Sequence, residues 1–204
     1  MDLKPRNFPI TLILVAVNLL LYFVPRLFSF PVSLQELLNA GGITVQDIEN
    51  GEYYRLLTAA FLHFDIRHIV SNMLILFMMG ERTERIYGHF RFLLLCLFGA
   101  LVPNILSYWF YKLTNEYVIS AGASGLVFAL NGAMITAAVK KAPGALDIRR
   151  LIFYTLFSLY AGFTSVSTNN IAHLSGVLAG FVIGFVLMPE FDASKEGPGP
   201  WEMW

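Results

Sequence analysis

The chain has 204 residues, 56% of them hydrophobic, with a mean hydropathy of +0.62. Charged residues make up 14%, well under the roughly 25% of a soluble domain, and 14 basic side chains balance 14 acidic ones. An ordinary soluble domain is excluded, no basic footprint for nucleic acid remains, and the one cysteine, Cys96, has no partner for an internal disulfide and reads as a small buried hydrophobe.

A transmembrane helix needs about 20 mostly apolar residues. The first predicted span covers about residues 8–28. Lys4 and Arg6 precede it as in a signal peptide, but no small-residue cleavage pattern follows, so it reads as a retained helix. Pro31, Gly41, Gly42, Gly51 and several acids then predict a long loop with short helices up to Phe64. Further spans are predicted at about 66–88, 91–112 and 117–139. Residues 151–189 contain no Asp, Glu, Lys or Arg, which is too long for one helix. The polar run TSVSTNN, Thr164 to Asn170, divides that region into spans at about 148–164 and 170–188. The expectation is an all-α polytopic membrane protein, with one six-helix domain over residues 1–189. Residues 190–204 are expected to be a short, polar, mobile tail, in which Trp201 and Trp204 are able to touch a membrane surface.

With both termini inside, the inner segments carry Lys4, Arg6, Arg82, Arg85, Arg91, Lys140, Lys141, Arg149, Arg150 and Lys195. The outer segments carry Arg26, Arg55, Arg67 and Lys112. The positive-inside rule therefore places both termini in the cytoplasm and the long first loop outside.

Polar groups inside spans are costly and face partners or cavities. His68 and Asn72 are four apart and share one helical face. They are read either as donors to neighbouring helices or as part of a site. Ser124 lies in SAGASGLVFAL between Gly122 and Gly125. Taken alone, this is helix packing through small residues or a nucleophile at a helix start, where free backbone N–H groups point outward. The GxSxG elbow of soluble hydrolases is not matched, because position 126 is leucine. His173 stands at one end of a stripe through Gly176, Gly180 and Gly184. If that stripe meets the small face Gly125, Ala129, Gly132 and Ala133, Ser124 and His173 become neighbours. Serine needs an adjacent base to attack, and neutral imidazole suits that task. His68, Asn72 and the Ser124 amide then supply donors for an oxyanion.

At these residues the chain resembles the rhomboid family of intramembrane serine proteases, from about Tyr53 to Gly184. YYR and HFDIRHIVSN resemble the family's WR and HxxxxHxxxN patterns through His63, His68 and Asn72, with Tyr54 in place of the tryptophan. GERTE, Gly80 to Glu84, resembles GxxxE; GASG, Gly122 to Gly125, resembles GxSG; AHLSGVLAG resembles AHxxGxxxG. The resemblance implies a Ser124–His173 dyad without an acidic third member. It implies an oxyanion site from His68, Asn72 and the Ser124 amide, and a water-filled cavity opening outward below the membrane surface. It implies stacking of the catalytic histidine on Phe128, and structural roles for Arg55 and Glu84. The implied activity is cleavage of transmembrane protein substrates near their outer ends, in a multi-pass protein of the bacterial plasma membrane.

The alternative is a non-catalytic rhomboid-like binder of membrane clients, which loss of Ser124 or His173 would favour. A transporter would need polar groups along a path through several spans. No HExxH is present, and Asp65 and Asp147 fall at loop edges, so metallo and aspartyl intramembrane proteases do not fit. No cofactor or metal is expected. The partners are transmembrane protein substrates and membrane lipids, and no oligomeric state is written in the pattern. His63 reads as structural, His89 as interfacial, and Met73, Met78 and Met79 as packing. Span five and the loop FTSVSTNN are gate candidates by position.

Overall fold

The computed structural model describes residues 7–27, 34–163 and 168–190. Among them the chain is helical and has no strand, only an isolated antiparallel bridge between Ile43 and Ser120. The elements are α1 (Pro9–Arg26), α2 (Leu34–Asn39), α3 (Val45–Glu49), α4 (Arg55–Thr58), a 3₁₀ turn (Ala59–Phe61), α5 (Ile66–Tyr87), α6 (His89–Thr114), α7 (Ser124–Val139), α8 (Ile148–Phe163) and α9 (Asn170–Leu187). The all-α expectation holds. Helices α1, α6 and α9 are long and apolar enough to cross a membrane by themselves. The 3₁₀ turn with α4, bent by 95° from α5, adds a fourth if the pair counts as one span. Helix α7 is apolar but only 16 residues long.

The centre of the fold is α7. Apolar residues surround it on every side, and a helix apolar all round is a buried one. Leu126, Ala129, Leu130, Ala133, Met134 and Ala137 are all buried. It packs mainly on α9 through small residues. A Cβ placed on Gly180 would lie 1.9 Å from the Ala129 carbonyl oxygen, and one on Gly132 would lie 2.1 Å from the Val177 oxygen. The two backbones touch with no side chain between them, which only glycine permits.

The predicted fourth span begins seven residues too early. Residues 117–123 are not helical; the helix starts at Ser124. Ser120 exchanges two backbone hydrogen bonds of 2.9 Å with Ile43, and Gly122 has a φ of +128°, outside helical range. Those tertiary bonds outweigh the local apolar pattern, which favours helix.

Helix α1 has no side-chain cap of its own, since its N-cap is Phe8. Its first-turn donors are met from α5. The buried Glu84 carboxylate accepts from the Ile10 and Thr11 amides at 3.1 and 2.8 Å and from the Thr11 hydroxyl at 2.7 Å. A carboxylate at a helix N-terminus satisfies unpaired N–H groups and complements the helix dipole. His89 adds a 2.7 Å contact to the same carboxylate. Gly88, at φ +77°, makes the turn between α5 and α6.

Arg55 ties the first loop together. It is 7% exposed, pairs with Glu52 at 2.7 Å and Asp47 at 3.8 Å, and donates to the carbonyls of Gly42, at 2.7 Å, and Leu38. The Tyr54 hydroxyl and Arg55 together hold the Glu52 carboxyl below its ordinary range. Met73 and Met79 are buried and Cys96 is buried, as expected, but Met78 is 61% exposed and points outward, a correction to its reading as packing. It is one of many exposed apolar side chains, including Leu20, Phe153, Phe157, Leu178 and Val186. Soluble monomers do not expose apolar area on that scale.

Candidate active site

Ser124 is the first residue of α7 and is partly exposed. Its amide has no acceptor within the helix. The two amides before it are engaged. Gly122 donates to the Ala59 carbonyl at 2.8 Å, and Ala123 donates to His63 Nε2 at 3.4 Å. An accepting Nε2 carries no proton, so His63 serves this loop as a neutral ring. The bond gives the structural reading of His63 its content: it holds the residue next to the serine.

His173 lies one turn into α9 and is buried, with its ring stacked on Phe128 at 4.3 Å between centroids and 28° between planes. Phe128 is four residues after Ser124, on the same face of α7. The glycine stripe sets this meeting. A Cβ on Gly176 would be 2.6 Å from the Gly125 oxygen and 3.1 Å from the Phe128 Cβ, and one on Gly184 would be 2.8 Å from the Ala133 Cα. Gly125, Ala129 and Ala133 are the residues expected on the opposing face. From the other side Gly162 of α8 approaches, its Cβ position 3.3 Å from His173 Nδ1.

His68 and Asn72 come up to the serine loop from α5. A Cβ on Gly122 would sit 2.6 Å from His68 Cε1, 2.7 Å from Nε2 and 3.7 Å from Asn72 Nδ2. Gly122 is thus required twice, by its φ and by the two side chains that fill its missing methyl's place. Asn72 is 5% exposed, and its Nδ2 has no hydrogen-bond partner. A buried donor left unpaired costs about 1–3 kcal/mol. His173 Nδ1 is also buried and unpartnered. Asp65 caps α5 by accepting from the His68 amide at 2.9 Å, which agrees with its place at a loop edge. No cluster of His, Cys, Asp or Glu suited to a metal occurs among the described residues.

A Rhomboid domain profile matches residues 50–190. The chain belongs to the rhomboid family. It is 31% identical over 173 residues to rhomboid protease GluP of Bacillus subtilis, covering 84% of this chain and 33% of that protein. It is 31% identical over 179 residues to RHOMBOID-like protein 1 of Arabidopsis thaliana, covering 81% and 45%. It is 28% identical over 206 residues to rhomboid protease AarA of Providencia stuartii, covering 88% and 73%. The chain spans about half or less of the length of several curated relatives that it matches. Family membership and the apolar helices make it an integral membrane protein.

One residue beside the candidate site is given no role by the sequence reading. Asn169, the N-cap of α9, also bonds to two other segments, α6 and the loop before Ser124. It lies inside the polar run TSVSTNN, which the sequence reads as a loop and, by position, a gate candidate. Of the gate candidates, residues 164–167 of that run lie outside the described residues, as do Trp201 and Trp204.

Proposed function

We propose that the chain is an intramembrane serine protease in which Ser124 is the nucleophile and His173 the general base. The observation that carries this reading is the His173–Phe128 stack, which puts an imidazole one helical turn from a serine at a helix start. His173 takes the hydroxyl proton as Ser124 Oγ attacks the scissile carbonyl. The intermediate's oxyanion is held by the Ser124 amide, His68 and Asn72, whose unpaired Nδ2 is a donor without an acceptor. His173 then gives its proton to the leaving amine, and water hydrolyses the acyl-enzyme by the same route in reverse.

The substrates are transmembrane proteins, cut near the outer face. Six spans within residues 1–189, cytoplasmic termini, a polar tail at 190–204 and a bacterial plasma membrane complete the proposal. Depth follows from α7. Its 16 residues rise about 24 Å at 1.5 Å each, against a hydrocarbon core of about 30 Å. With its inner end at the boundary, Ser124 is roughly 6 Å below the outer one. Gly122, Gly125 and Gly176 act as supports that let the groups approach, and Phe128 orients the imidazole.

A fluorophosphonate probe tests this without a known substrate. Detergent-purified protein is expected to label, and Ser124→Ala and His173→Ala to lose labelling while remaining folded. Labelling that survives in Ser124→Ala refutes the nucleophile. Absence of labelling in folded wild type favours the client-binding alternative.

A further inference from the structure

We infer that Asn169 is a positioning residue that locks the serine loop to the histidine helix, an inference that rests on the protease reading. Asn169 is the N-cap of α9, four residues before His173. Ser120 stands four residues before Ser124. The Asn169 Nδ2 donates to the Ser120 hydroxyl and to the Ser107 hydroxyl of α6, the latter at 2.6 Å. Its Oδ1 accepts from the Ala172 amide at 3.0 Å and from the Tyr111 hydroxyl at 3.2 Å.

An asparagine amide has two donor hydrogens and two acceptor lone pairs. All four are used here, on α6, α9 and the serine loop. Capping α9 needs only one of them, the bond to Ala172. The donor side does no capping. It joins two chain segments that carry different members of the dyad.

Ser120 is fixed from its other side by the paired backbone bonds to Ile43. The Asn169 bond therefore ties α9 to a segment that is already held. The glycine contacts between α7 and α9 set how close the two helices come. They restrain sliding along the axes less, because small flat faces offer few interlocking side chains. The polar junction at the outer end fixes that axial register. A reacting group displaced by about 1 Å costs up to about 10²-fold in rate.

The test compares Asn169→Ala, Ser120→Ala, the double variant and Ser120→Thr in the full chain. The rate constant for fluorophosphonate labelling of Ser124 and the kcat and KM for a model transmembrane substrate are read out. Each single alanine variant is expected to label about tenfold more slowly, with kcat reduced and KM unchanged. The double variant falls no further than Asn169→Ala, because the bond that Ser120→Ala removes is already lost with Asn169. Ser120→Thr, which keeps the hydroxyl, restores the rate. Asn169→Ala also loses a cap and some stability, so the Ser120 variants decide if it fails to fold. Ser120→Ala labelling at the wild-type rate overturns the inference, as does an additive double variant or a threonine variant as slow as alanine. If wild type does not label, or labels without Ser124, the protease reading and this inference fall together. Labelling that needs Ser124 but ignores Ser120 removes the inference alone.

Discussion

Gly180→Ala is the most direct probe of how the site is assembled. The new methyl would lie 1.9 Å from the Ala129 oxygen and 2.5 Å from both its carbonyl carbon and its Cα. All three are backbone atoms of a buried helix, so no rotamer change relieves the clash. Reaching an ordinary contact of 3.4 Å requires α7 and α9 to part locally by about 1.5 Å, and overpacking of this kind costs about 1–3 kcal/mol. His173 is seven residues, two turns, from Gly180 on the same helix. Part of the displacement reaches it, and a shift near 1 Å slows chemistry by up to about 10²-fold. Equilibrium unfolding in mixed micelles measures the first effect and the fluorophosphonate labelling rate the second. Leu178→Ala is the control, since Leu178 is 61% exposed on the outer face of α9. Gly180→Ala within about 0.5 kcal/mol of wild type, and with an unchanged labelling rate, would refute direct backbone contact as the device that brings Ser124 and His173 together.

Gly122→Ala places a methyl where His68 Cε1 and Nε2 now lie and strains a φ of +128°; labelling is expected to vanish, and an active variant would show that His68 need not occupy that position. Asn72→Ala is expected to slow acylation by about 10²–10³-fold if its Nδ2 holds the oxyanion, with residual activity from the other donors; an unchanged single-turnover rate would remove Asn72 from the site. Glu84→Ala leaves the buried Thr11 amide and the part-buried Ile10 amide unpaired, at a cost on the order of 3 kcal/mol. Hydrogen exchange should then rise in the first turn of α1 more than in α7, and equal protection in the two would contradict the remote-cap account.

The packing faces that carry the motif residues are legible because small residues recur on them with one helical period. Gly176, Gly180 and Gly184 follow His173 at spacings that must lie on one face, and they meet Gly125, Ala129 and Ala133 as that spacing implies. His68 and Asn72 share a face for the same reason and arrive together at Gly122. Composition fixed the membrane class, since so little charge cannot cover a soluble surface. The start of α7 was not legible. Residues 117–123 look as apolar as the helix they precede, and their bonds to Ile43, Ala59, His63 and Asn169 keep them out of it. The cap of α1 comes from Glu84, far along the chain. The work of Asn169 is visible only when Ser107, Tyr111 and Ser120 converge on it. Periodicity records which face a residue takes within its own helix. Hydrogen bonds between segments distant in sequence leave no period, so the folded arrangement alone decides where α7 begins and what holds α9 beside it.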